Sequence, residues 1–89
     1  MKNVRINADE ALWRNSMLPG GIVERWLVAD GEIALEGHGL AEIRIERALH
    51  EIVAPATGCL TIAAPRLAVI EPGCLLATLA VDAVAAAGA

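Results

Sequence analysis

Glycine and proline cut this chain into pieces too short for a helical architecture. Gly31, Gly37, Gly39, Gly58 and Gly73 recur at short intervals, with Pro55, Pro65 and Pro72 between them. The pieces they bound are rich in strand formers, as in Ile22-Val23-Glu24-Arg25-Trp26-Leu27-Val28 after the break at Gly20-Gly21. Short strands with frequent turn signals predict an all-β sandwich or barrel. A parallel α/β fold needs crossovers of roughly ten or more residues, and the spacing leaves no room for them. The 89 residues suffice for one domain. A domain this small buries a modest share of its surface, so its core must be dense. The composition suits that demand: 56% of residues are hydrophobic, with two Trp and no Phe or Tyr. An aliphatic core fits closely packed strands better than a deep pocket with aromatic walls.

An internal repeat points the same way. Gly37-His38-Gly39-Leu40-Ala41-Glu42-Ile43 matches Gly73-Cys74-Leu75-Leu76-Ala77-Thr78-Leu79 at an offset of 36 residues, and Gly21-Ile22-Val23 corresponds to Gly58-Cys59-Leu60 one residue out of step. Two similar halves imply two similar β-layers burying their apolar faces against each other. Ahead of them, Ala8-Asp9-Glu10-Ala11-Leu12-Trp13 predicts a short helical turn that Asp9 can cap, with Trp13 anchoring the arm. The Ala- and Gly-rich stretch from Ala83 to Ala89 reads as a disordered tail.

Charge and motif content exclude several functions. A net charge of −4, with no basic patch and no interleaved aromatics, argues against nucleic acid. No apolar run approaches the roughly 18 residues of a spanning helix, and Met1-Lys2-Asn3-Val4-Arg5 lacks the apolar stretch of a secretory signal, so no membrane partner and a cytoplasmic location are expected. Cys59 and Cys74 lack CxxC spacing and read as free thiols in a reducing compartment. His38 and His50 lie in different segments and make no metal motif. There is no nucleophile paired with a base and no Gly-rich phosphate loop, so the chain is not expected to be an enzyme.

The stretch from Leu40 to Ala54 can be tested by alternation. If the chain reverses at Glu46-Arg47, then Ile45 faces Ala48, Ile43 faces His50 and Ala41 faces Ile52, which gathers these side chains on one side. Glu42, Arg44, Leu49 and Glu51 fall on the other. This register places Glu42 opposite Glu51, a like-charge pair that Arg44 can relieve by lying between them. Glu-Arg is not a favoured tight-turn pair, since such turns prefer Asn-Gly or Asp-Gly.

In order and spacing, these pieces resemble a lipoyl domain. Met17-Leu18-Pro19-Gly20-Gly21-Ile22-Val23-Glu24-Arg25-Trp26-Leu27-Val28 is similar to the opening of that family. Asp30-Gly31-Glu32, Glu36-Gly37 and Leu40-Ala41-Glu42-Ile43 continue its pattern. Glu46-Arg47-Ala48 falls where the family has Asp-Lys-Ala, and Glu51-Ile52-Val53-Ala54-Pro55 through Gly58-Cys59-Leu60 resembles the family's next strand and turn. Glu71-Pro72-Gly73 and Leu76-Ala77 match the final turn and strand, so the likeness covers about residues 17 to 81. The resemblance implies a flattened β-barrel or sandwich of two antiparallel four-stranded sheets related by a pseudo-twofold. With the break at Gly20-Gly21 and the Ala-rich end, the chain reads as an N-terminal lead-in over 1–19, a lipoyl-like domain over 20–81 and a flexible tail over 82–89. The resemblance also implies a hairpin whose lysine carries lipoate in the acyltransferase components of 2-oxo acid or acetoin dehydrogenase complexes. The biotin-carrying relatives have Met-Lys-Met at the hairpin, and Glu46-Arg47-Ala48 is closer to the lipoyl version. Efflux-pump adaptors split their lipoyl-like halves with a long helical insertion, which Arg47-Ala48-Leu49 does not offer.

Arg47 stands at the position of the attachment lysine. Amide formation needs a neutral amine, and a guanidinium stays protonated and delocalised. The one lysine of the chain is Lys2, away from the hairpin. No bound lipoate or biotin is therefore expected. Two readings of Arg47 stay open: a solvated charge at a turn, or a guanidinium that grips a partner carboxylate in bidentate fashion. Leu49 and Val53, apolar on the outward face, make a candidate interaction surface beside it. His50 reads as a partly buried, hydrogen-bonded histidine. The expected role is a non-catalytic subunit associated with dehydrogenase-complex components. The alternative is a module kept for protein interaction or homodimerisation.

Overall fold

The computed structural model describes residues 2–81, so the expected disordered tail lies outside the described residues. Among the described residues there are eight strands: β1 (Lys2–Asn7), β2 (Gly21–Trp26), β3 (Ile33–Ala34), β4 (Gly39–Ile45), β5 (Ala48–Val53), β6 (Gly58–Ile62), β7 (Val69–Ile70) and β8 (Leu75–Val81). They form two four-stranded antiparallel sheets, ordered β1-β8-β6-β3 and β5-β4-β2-β7. The all-β architecture expected from the spacing of glycines, and the two layers expected from the internal repeat, are thus present. Among the described residues the sheets stay separate rather than closing into a barrel, since no ladder joins an edge of one to an edge of the other.

The two sheets are copies of one pattern. In order, β1, β8, β6 and β3 correspond to β5, β4, β2 and β7, and the sequence repeat falls on the β4/β8 and β2/β6 pairs. Backbone hydrogen bonds repeat with it. The Gly37 N–H donates to the Ala54 carbonyl at 2.8 Å and the Ala54 N–H to His38 at 2.9 Å, while the Gly73 N–H donates to Ala8 at 2.7 Å and the Ala8 N–H to Cys74 at 2.8 Å. Gly37 and Gly73 adopt left-handed φ angles of 84° and 87° in these matching turns. Gly21 and Gly58 are equivalent too. A Cβ on Gly21 would lie 3.0 Å from the Arg44 carbonyl, and one on Gly58 would lie 2.7 Å from that of Ala80.

Between the sheets sits an aliphatic core that includes Val23, Leu40, Ile43, Ile45, Leu60, Ile70, Leu76 and Leu79. No buried polar or charged side chain enters it among the described residues. At roughly 1.5–3 kcal/mol for each buried aliphatic side chain, this interface is the main source of stability.

The expected domain boundary at residue 20 needs correction. Lys2–Asn7 is not a lead-in but the edge strand β1, paired with β8 from Lys2↔Val81 to Asn7↔Leu75. It lacks the glycine signals of the other strands, and only Ile6 of its six residues is buried. The cause is its edge position, which leaves one side of the strand to solvent. The turn over Glu10–Trp13 forms as expected, a 3-10 turn with the Asp9 carboxylate accepting from the Ala11 N–H at 2.9 Å. Trp13 is 8% exposed and belongs to the core.

Candidate functional site

The hairpin β4–β5 has the register that alternation predicts. Ile45 pairs with Ala48, Arg44 with Leu49, Ile43 with His50, Glu42 with Glu51 and Ala41 with Ile52. The inward face is dry only on β4. Ala41, Ile43 and Ile45 are buried, but β5 is an edge strand, so His50 and Ile52 are half-buried and Ala48 is exposed.

Glu46 and Arg47 form the tip between the two strands, and both are exposed. The reversal works despite its unfavourable residue pair because Glu46 adopts a left-handed φ of 56°. For a residue with a Cβ that conformation costs on the order of 1–2 kcal/mol, which the core-facing register on either side sustains. The pseudo-twofold maps this tip onto the chain ends, where Lys2 faces Val81. The one lysine therefore stands on β1, in the sheet that does not contain the hairpin. The tip itself offers a guanidinium, which does not fit amide attachment of lipoate.

The like-charge pair Glu42↔Glu51 is relieved differently from the expectation. A bulge between Val23 and Arg25 shifts β2 against β4, which turns both Glu24 and Arg25 toward the outer face. Arg25 Nε then donates to Glu42 Oε1 at 2.6 Å, and Arg44 Nε donates to Glu24 Oε1 at 2.8 Å. Arg44 is thus occupied by Glu24 and does not lie between the two glutamates. The hydrogen bond and charge of Arg44 hold the Glu24 carboxyl below its ordinary value of 4.5, and the bond to Glu42 raises the Arg25 guanidinium above its own.

Leu49 and Val53 are exposed as expected, each at 49%. They do not form one patch with each other. Leu49 shares a row with Arg44, Ile22 and Val69, through the pairs Leu49↔Arg44, Arg44↔Ile22 and Ile22↔Val69. Val53 lies at the other end of β5, opposite Gly39. The sequence pattern did not single out Ile22 and Val69. Alternation along β2 could have exposed Ile22, whereas the two residues of β7 are too short a run to show any period. Beside the row, Leu18, Pro19, Gly20 and Val69 help to line a groove of about 410 Å³ that reaches Glu46 at the hairpin.

His50 lines a smaller cleft, about 200 Å³, between the hairpin root and the segment carrying Leu12, Asn15 and Ser16. It is half-buried as expected, but no protein group hydrogen-bonds its ring among the described residues. The Cys59 and Cys74 thiols are half-buried and unbridged, contacting the Gly31 and Leu75 carbonyls at 3.4 and 3.6 Å. Among the described residues no three His, Cys, Asp or Glu side chains gather into a metal site, and no helix is long and apolar enough to cross a membrane. No family model matches the chain, and no curated protein is significantly similar to it.

Proposed function

We propose that this chain is a lipoyl-domain-like module that works, without bearing lipoate, beside the acyl-transfer components of a dehydrogenase complex in the cytoplasm. The observation that carries the reading is the protruding hairpin. Its register supports an alignment in which Arg47 takes the place of the attachment lysine. The two related four-stranded sheets support it as well, since they are what the resemblance implies. In this role the module is not catalytic. The exposed Arg47 presents a cation at the tip, which suits a bidentate grip on a carboxylate of a partner.

The alignment has a direct test. Arg47→Lys restores a nucleophilic amine, and lipoate ligase is expected to acylate that variant, adding one lipoyl mass, while leaving the parent unmodified. A variant that stays unmodified beside a fully modified reference lipoyl domain removes the basis of the reading. Purification of the native protein from its source, with identification of co-eluting chains, tests the association. Acyltransferase or dehydrogenase subunits are the expected companions.

A further inference from the structure

We infer that the outer face of the β5-β4-β2-β7 sheet is a docking surface for a second copy of this chain. The molecule contains its own control for this inference. The two sheets share one backbone pattern, so any outward side chain that the fold requires should occur on both. The row Leu49–Arg44–Ile22–Val69 has as its counterpart Asn3–Ala80–Cys59–Ile33, through the pairs Asn3↔Ala80, Ala80↔Cys59 and Cys59↔Ile33. The adjacent row Glu51–Glu42–Arg25 corresponds to Arg5–Thr78–Thr61. Ile33 and Val69 are equivalent and both exposed, so the faces differ in the rest of the row: Asn3, Ala80 and Cys59 are small on one sheet, whereas Leu49, Arg44 and Ile22 set large aliphatic groups among arginines and glutamates on the other. Folding does not demand that difference.

Charge identifies the occupant. On the aliphatic face Arg25 and Arg44 are interleaved with Glu42 and Glu24, and Glu46 sits beside Arg47 at the tip. Glu51 on β5 and Arg66, whose Nε donates to the Glu24 carbonyl at 3.3 Å, complete the set. The face is therefore neutral, and the whole net charge of −4 lies on the rest of the chain. An acidic partner would meet its four glutamates and a basic partner its four arginines. Arg25–Glu42 and Arg44–Glu24 are already paired within the chain, whereas Arg47 and Glu51 have no ion-pair partner among the described residues. A second copy related by a twofold axis can set Arg47 against Glu51 on both sides at once, as an isologous interface requires. Shape agrees with charge. Met17 is 92% exposed and adjoins Leu18 at the groove, so each copy offers a knob next to a recess that can receive one. The strands β5, β4, β2 and β7, about 4.8 Å apart and six, seven, six and two residues long, span only about 330 Å² of flat sheet, less than half the usual share of a stable interface, so the dimer is weak.

Sedimentation equilibrium on the full chain, from about 5 to about 500 μM, tests this. The weight-average mass is expected to rise from 9.3 kDa toward twice that value across the range. The double variant Ile22→Thr with Val69→Thr is expected to weaken association at least about tenfold, whereas Ile33→Thr on the opposite sheet leaves it unchanged. Val69→Thr alone, at a residue 75% exposed, carries the test if the double variant does not fold. A chain that stays monomeric throughout overturns the inference, as does equal weakening by Ile33→Thr or none by Val69→Thr. The acyl-transfer reading is judged separately, by modification of the Arg47→Lys chain.

Discussion

At the scale of single residues, the pseudo-twofold turns each half of the molecule into a reference for the other. Gly31 and Leu67 occupy equivalent turns: the Gly31 N–H donates to the Leu60 carbonyl and the Leu67 N–H to the Val23 carbonyl, both at 2.7 Å. Both adopt left-handed backbone, with φ of 87° and 70°. Only Leu67 bears a Cβ there, and its side chain is exposed, so it gains little packing in return. Leu67→Gly is therefore expected to stabilise the fold by about 0.5–1 kcal/mol, measured from the midpoint of urea unfolding. Arg47 shows what is legible at this scale. Its chemistry, a cation that cannot be acylated, follows from its identity alone. That Glu46 beside it adopts a left-handed backbone could not be read from local preferences, which favour Asn or Gly there.

At the scale of elements, the ladder between β2 and β4 is where charge and register meet. Glu24 is bonded to Arg44 across it, and its carboxyl is held below the ordinary value of 4.5. A carboxyl depressed in the folded state contributes stability above its unfolded pKa and loses it as pH falls through the folded one. Glu24→Gln is thus expected to lower the urea midpoint at pH 7 and to flatten its decline between about pH 5 and 3. The β4–β5 register was legible because an alternating strand places every core-facing residue by a single choice of turn, and a slip of one residue would bury Glu42 and Arg44. The ion pairs were not legible. They depend on the bulge between Val23 and Arg25, and an extra residue in one strand leaves no mark on the alternation of its partner.

At the scale of the whole molecule, β1 closes the fold. It covers one side of β8 as β5 covers one side of β4, and it brings Ile6 into the core while Ala8 follows from the turn. A chain lacking residues 2–8 is expected to lose cooperative unfolding, seen as a collapse of amide dispersion in its NMR spectrum. The arm treated as a lead-in on sequence grounds would, if dispensable, leave that spectrum intact. Trp13 ties the following segment down. A Cβ on Gly21 would meet its ring at 3.5 Å, and its indole N–H is buried without a partner among the described residues, which costs about 1–3 kcal/mol against the area it buries.

Two kinds of information divided between chain and fold. The amino-acid order by itself determined the strand-and-turn architecture, the division into two similar sheets, the hairpin register and the unreactive side chain at its tip. Each of these rests on local rules, namely alternation, glycine turns and the chemistry of one functional group, which a linear pattern carries in full. Only the tertiary structure decided that Lys2–Asn7 is a strand, that Arg44 binds Glu24, and that Leu49 joins Ile22 and Val69 rather than Val53. These are pairings between segments distant in sequence. Which edge or face a residue occupies is set by the neighbour on the adjoining strand, and a single strand's pattern does not name its neighbour.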